Sequence, residues 1–191
     1  MRALTVGANR RYREDHMILT AEKISEEVAA GNIVISPFSP RDLNPSSYSY
    51  HMGDEILEQS VDCDGNETSA GEPMRMAEGG VLLQPRRLYL TNTHQHIGSR
   101  KYVTLLSGCR PVAQLGLFVQ LSANLGNLGD AHRWTLELTC VQPVRIYPGM
   151  LIGLLTFCEP QGAISYYSGQ YTAHSRPVGN LRGSASDWGR Q

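Results

Sequence analysis

The stretch Trp134-Thr135-Leu136-Glu137-Leu138-Thr139-Cys140-Val141-Gln142 alternates between two kinds of side chain. Successive side chains of a strand point to opposite faces. Trp134, Leu136, Leu138 and Cys140 therefore share one face, and Thr135, Glu137, Thr139 and Val141 share the other. Such alternation marks a half-buried β-strand rather than a helix. Glu137 is the anomaly. An ionised carboxylate among apolar neighbours is costly unless it is exposed, paired or lining a polar site. Burial would raise its pKa toward the range in which a general base works. The pattern leaves both a solvent-facing glutamate and a site residue open.

Outward from this strand the chain reads as more strands. Val81–Gln84, Leu88–Asn92, Tyr102–Leu106, Leu117–Ser122, Val144–Tyr147 and Leu151–Phe157 are short and rich in aliphatic and β-branched residues. Turn signals at Pro85, Gly98, Gly108, Gly126, Gly129, Pro143 and Pro148-Gly149 separate them. A mostly β domain, as a sandwich or closed barrel, is the expectation. One helix precedes the strands, from Ala21 to Ala30, with Thr20 as its N-cap and Gly31 at C′. Ile24 and Val28 share a face of it, while Glu22, Glu26 and Glu27 fall near its start and polar side. A short strand, Asn32 to Ser36, follows, and the three prolines of Pro37–Pro45 require an irregular connection. The Gly-, Asp- and Glu-rich segment Ser60–Gly80 reads as an exposed loop or a long, partly frayed hairpin. Its Asp62-Cys63-Asp64-Gly65-Asn66 start resembles a calcium loop, but Glu67 stands where the tight-turn glycine belongs, so a solvated acidic loop is expected.

Composition narrows the function. With 191 residues, 41% hydrophobic and 18% charged, the chain is long enough for one core and too apolar for global disorder. A formal net charge of −1 gives no general grip on a nucleic-acid backbone. No apolar run approaches the roughly 18 residues that span a bilayer, so no membrane association is expected. Residues 1–16 carry Arg2, Arg10, Arg11 and Arg13 without the apolar stretch of a secretory signal, and read as a polar arm. Cys63, Cys109, Cys140 and Cys158 form no C-x-x-C pair, which favours free thiols and a cytoplasmic setting. P-loop, dinucleotide-fold and nucleophile-elbow motifs are absent. His94-Gln95-His96 has a spacing that can hold zinc if His51, His132 or a cysteine supplies a third ligand. The zinc nucleobase-deaminase signature is missing, and no zinc is expected.

Several blocks resemble the dCTP deaminase family. Met17-Ile18-Leu19-Thr20 running into a helix, then Ile33-Val34-Ile35-Ser36-Pro37-Phe38, is similar to that family's opening. Asn44-Pro45-Ser46-Ser47-Tyr48-Ser49-Tyr50-His51-Met52-Gly53 resembles its Q-P-A-S-x-D-L-R-L-G stretch, and Ser107 to Leu117 its E-G-R-S-S-L-A-R-L-G-L block. Thr135-Leu136-Glu137-Leu138 matches T-L-E-L. Tyr147-Pro148-Gly149-Met150-Leu151-Ile152-Gly153 is similar to L-Y-P-G-M-x-I-G, and Tyr167-Ser168-Gly169-Gln170-Tyr171 to Y-G-S-G-K-Y. The likeness runs in register from Met17 to Pro177, leaving 1–16 as an added arm and 178–191 as a tail.

The resemblance implies a distorted β-barrel, or jelly-roll, of the dUTPase-like (β-clip) type, forming a homotrimer with sites between subunits. It implies hydrolysis of pyrimidine deoxynucleotides, with magnesium carried on the phosphates and Glu137 activating the attacking water. A catalytically altered relative that only binds a nucleotide or protein partner, or a dUTP diphosphatase-like enzyme, are the alternatives. The substrate-binding positions it implies are Arg110, Gln114, Ala123, Asn127, Tyr167, Gln170 and His174. Departures from the family pattern are many. Cys109 and Gln114 stand where the family has arginines, Pro111 where it has a serine, and Gln170 where it has a lysine. Gln114 carries no charge with which to stabilise a developing anion. Asn127 can bond a sugar hydroxyl but cannot act as a base.

Overall fold

The computed structural model describes residues 18–62, 67–69, 72–120, 123–168 and 176–177. The proposed arm 1–16 and tail 178–191, and the candidate residues Gln170 and His174, lie outside them. In chain order the elements begin with helix α1 (Ala21–Ala29), β1 (Ile33–Ser36), a 3-10 turn at Pro40–Asp42, β2 (Leu43–Asn44) and β3 (Ser47–Val61). Then come β4 (Glu67–Ser69), β5 (Met74–Arg75), β6 (Val81–Leu83), β7 (Leu88–Thr93), β8 (His96–Ser99) and β9 (Val103–Gly108). A short helix α2 (Arg110–Gln114) precedes β10 (Leu117–Val119), β11 (Leu125–Gly126), β12 (Thr135–Cys140), β13 (Val144–Ile146) and β14 (Leu151–Cys158). The mostly β expectation with an N-terminal helix holds.

One curled sheet, ordered β10-β12-β7-β3-β14-β9-β11, carries most of the fold among the described residues. Two small antiparallel pairs, β1 with β8 and β13 with β6, accompany it. The inward faces supply the core: Tyr48, Tyr50 and Met52 of β3, Leu136 and Leu138 of β12, and Ile152, Leu155 and Phe157 of β14 are fully buried. No helix among the described residues is long and apolar enough to cross a membrane.

Two expectations are corrected, and one choice is decided. The segment after Ser60 takes the hairpin alternative rather than the loop. β3 runs on to Val61, and β4 pairs back on it through Ser60 and Ser69, which makes the hairpin. Thr20 is the N-cap residue but its side chain makes no capping hydrogen bond, whereas Gly31 (φ 76°) does end α1, with Gly31 N–H on Val28 O and Asn32 N–H on Glu27 O. Glu27 turns inward rather than to solvent.

Glu27 is 5% exposed and ties three segments together. It accepts a 2.7 Å bond from Asn32 Nδ2, and Lys23 and Lys101 reach it at 2.9 and 3.2 Å. Chiefly through the Lys23 bond, its pKa is lowered to about 2. A lowered carboxylate pKa stabilises the fold above the ordinary value, and that contribution disappears as pH falls through the folded one. Glu27→Gln is expected to cost about 1–2 kcal/mol at neutral pH, or about 2–8 °C in Tm. The gap to the parent should close as pH falls from 4.5 toward about 2 in thermal melts. A gap that is the same at both ends would show that Glu27 acts by packing alone.

Candidate functional site

β12 lies between β10 and β7, with Glu137 opposite Leu90 and Leu138 opposite Val119. Its burial alternates as the sequence requires: Leu136, Leu138 and Cys140 are buried, while Thr135, Glu137 and Thr139 are half-buried. The Glu137 carboxylate makes no hydrogen bond or ion pair to the described residues. Burial alone raises its pKa. Of the two readings open for Glu137, the free surface glutamate is disfavoured. A half-desolvated, unpaired carboxylate is the state that burial makes more basic.

The backbone of Glu137 is held by a residue that sequence reasoning missed. Gln120 is 6% exposed and has φ 50°. Its Oε1 accepts from Glu137 N–H at 2.6 Å, its own N–H donates to Glu137 O at 3.1 Å, and its Nε2 donates to Ala123 O at 3.1 Å. A left-handed backbone at a non-glycine residue is uncommon and costs strain. The turn also ends β10 at Val119, short of the expected Ser122. Nothing in Phe118-Val119-Gln120 signals this, because a lone polar residue after apolar ones reads as ordinary alternation.

α2 was not foreseen. Cys109 caps it and is buried, Val112 anchors it, and Arg110 and Gln114 lie exposed at its two ends. Gly116 (φ 76°) then reverses the chain, and its carbonyl accepts from Val141 N–H at 3.0 Å, so the exit of α2 rests on the end of β12.

A separate cavity of about 470 Å³ holds two other candidates. Asn127, Leu128, Val103, Ser165, Tyr166 and Tyr167 are among the residues that line it. Tyr167 N–H donates to Leu128 O at 2.9 Å, and Gly129 N–H to Ser99 O at 3.0 Å. The structure thus brings Asn127 to Tyr167 and links Ala123 to Glu137 through Gln120. Glu137, Arg110 and Gln114 do not line the cavity.

Among the described residues the histidines gain no third ligand. His94 and His96 are exposed, while the intervening Gln95 is buried with its side chain on His51. Among the described residues no group of three His, Cys, Asp or Glu side chains stands close enough to hold a metal ion.

Comparison with known proteins agrees with the fold. A family model described as dCTP deaminase-like matches residues 18–159. A "dCTP deaminase, dUMP-forming" from Clostridium beijerinckii is 34% identical over 157 residues, covering 81% of this chain and 90% of its own length. A "dCTP deaminase" from Rhodopirellula baltica is 38% identical over 147 residues, covering 76% of this chain and 74% of its own. The crystal structure of 2′-deoxycytidine 5′-triphosphate deaminase from Agrobacterium tumefaciens superposes with a TM-score of 0.61 at 13% identity. That match covers 77% of this chain and 49% of the other, so this chain spans about half of that protein. The shared architecture is the dUTPase-like fold.

Gln120 gives a test by paired substitution. Gln120→Ala loses two side-chain hydrogen bonds and keeps the strained φ, while Gln120→Gly loses the same bonds and relieves the strain. Both are expected to be destabilised, Gln120→Ala more than Gln120→Gly by about 1 kcal/mol in urea unfolding. Faster amide exchange at Glu137 should accompany both. Equal stability of the pair would remove strain from the account of this turn.

Proposed function

The chain belongs to the dCTP deaminase-like family, and from that premise we propose that it hydrolytically deaminates a pyrimidine deoxynucleotide, with Glu137 as the base that activates water. The observation that carries this reading is the half-buried, unpaired state of the Glu137 carboxylate with its raised pKa. Glu137 takes a proton from water, the hydroxide adds to C4 of the cytosine ring, and the same carboxyl returns the proton to the departing amine. Ammonia leaves and the uracil nucleotide remains. One carboxyl group serves both proton transfers, which is ordinary general acid–base chemistry.

Arg110, Gln114, Ala123, Asn127 and Tyr167 remain the substrate contacts we assign, with Asn127 on a sugar hydroxyl. Glu137 and α2 lie apart from the Asn127–Tyr167 cavity within one chain, which supports a homotrimer whose neighbouring copies complete each site. Magnesium that accompanies a triphosphate would ride on the phosphate oxygens and neutralise part of their charge, since the described residues offer no three-ligand cluster. A small nucleotide substrate, with no nucleic acid or membrane partner, fits free cysteines and the cytoplasmic setting.

A second reading, a relative that binds nucleotide without turnover, is favoured by one feature. Cys109 and Gln114 stand where the family has arginines, and Cys109 is buried out of reach of a ligand. Ammonia release from dCTP separates the two. Glu137→Gln is expected to lower kcat by about 10²–10⁴-fold with little change in dCTP affinity. Turnover by the parent that survives this substitution would remove Glu137 from the mechanism.

Three further outcomes follow from the same chemistry. The acid limb of kcat/KM should lie above the ordinary glutamate value, because the base works only when deprotonated and burial raises its pKa. A raised pKa also means that the folded state binds this proton more tightly, so the charged carboxylate costs stability at alkaline pH. Glu137→Gln should therefore melt no lower than the parent at about pH 8, and any gain should vanish below the unfolded pKa. Asn127 cannot take a proton from a second water, so chromatography is expected to show dUTP, with its triphosphate intact, rather than dUMP.

A further inference from the structure

Among the described residues the lining of the cavity between Asn127 and Tyr167 has no ionisable cation, yet a nucleotide brings at least one phosphate with it. Arg100 stands at the rim of the cavity, placed to supply positive charge. Its guanidinium stacks over the ring of Tyr166, a wall of the cavity, at 4.7 Å from the ring centroid. Ser99, the residue before it, accepts from Gly129 N–H at 3.0 Å, and Leu128 accepts from Tyr167 N–H at 2.9 Å. Three chain segments are thereby fixed at one rim: Ser99-Arg100, Asn127–Asp130 and Tyr166-Tyr167. The neighbouring cation is committed elsewhere, because Lys101 is bound to buried Glu27 at 3.2 Å.

Arg100 is not spent in a strong ion pair. Its Nε stands 3.7 Å from Asp130 Oδ1, and the two side chains are 66% and 85% exposed. Exposed pairs of this kind hold weakly, and a phosphate dianion offering two oxygens to the planar guanidinium fork competes well against one. Stacking on Tyr166 limits the positions that the guanidinium can take without neutralising it.

We propose that Arg100 is the phosphate-binding residue of the Asn127–Tyr167 cavity, held at its rim by Tyr166 and restrained by Asp130. It supplies a cation in a chain that lacks those at 109, 114 and 170. The inference rests on reading this cavity as part of the nucleotide site. It also sets specificity: the cavity should discriminate nucleotides from nucleosides through Arg100.

The test measures binding of deoxycytidine, dCMP and dCTP to the full-length protein by calorimetry, for the parent, Arg100→Gln, Arg100→Lys and Asp130→Asn. Arg100→Gln is expected to weaken dCTP by roughly 10–100-fold and deoxycytidine by less than about twofold, since the lost contact is charge-assisted. Arg100→Lys should restore part of the dCTP affinity. Asp130→Asn, which leaves the Tyr166 stack in place, should tighten dCTP and leave deoxycytidine unchanged. Equal losses for nucleoside and nucleotide would overturn the proposal and make Arg100 a support for the Tyr166 wall. Unchanged dCTP affinity in Arg100→Gln would overturn it as well. A parent that binds dCTP without releasing ammonia defeats the deaminase reading alone and leaves Arg100 to be judged by the affinity ratio. A parent that binds none of the three defeats both.

Discussion

Besides its short pairings with β2, β4 and β5, β3 pairs first with β14 and then with β7, and the rest of the sheet depends on those two pairings. Its first part lies against β14, with Tyr48 opposite Leu155 and Tyr50 opposite Gly153. Its later part lies against β7, with Ile56 opposite Thr91 and Gln59 opposite Leu88. The register shifts between Met52 and Ile56, where the strand must pass closely over its neighbour. Gly53 sits at that place: a Cβ there would stand 1.9 Å from Asn92 Oδ1 and 3.1 Å from the Asn92 carbonyl oxygen. On the β14 side, a Cβ on Gly153 would stand 2.2 Å from Ser107 O. Glycine at these two positions leaves room for Asn92 of β7 beside β3, and for Ser107 of β9 and the Tyr50 ring of β3 beside β14. β12 is the next strand beyond β7, so the place of Glu137 is inherited from this crossing.

The sequence showed what burial periodicity controls. The faces of Trp134–Gln142 came out as read, as did α1, its glycine stop and most strands, each within a residue or two. The family resemblance from Met17 onward agrees with the model match that begins at residue 18. β3 was not legible because Ser-Tyr-Ser-Tyr-His-Met-Gly-Asp-Glu breaks alternation where the strand changes partners. Glu27 looked like helix surface because two of its partners, Asn32 and Lys101, come from outside the helix. The Arg100–Tyr166 stack joins residues 66 positions apart and leaves no local trace.

The candidate site divides along the same line. A mid-strand carboxylate is a local feature, visible as a break in an apolar pattern. The cavity depends on three segments meeting, and only tertiary structure assembles those. Replacement of family arginines by Cys109 and Gln114 pointed to lost charge, but not to Arg100 as its proposed substitute. Its place depends on the chain's path past Ser99 and Gly129.

If Glu137 is the base proposed above, Gln120 positions it without disarming it. A hydrogen bond donated to the Glu137 carboxylate would stabilise its charged form and lower its pKa. Gln120 instead takes the Glu137 N–H with its side chain and the Glu137 carbonyl with its own N–H, leaving the carboxylate untouched. Position is then set through the peptide, while proton affinity is set by desolvation alone. The two requirements of a general base, a fixed location and a pKa above the ordinary carboxylate range, would conflict if the same contact served both. Here they are separated onto main chain and side chain. The cost falls on Gln120, which holds a left-handed backbone conformation to make it possible.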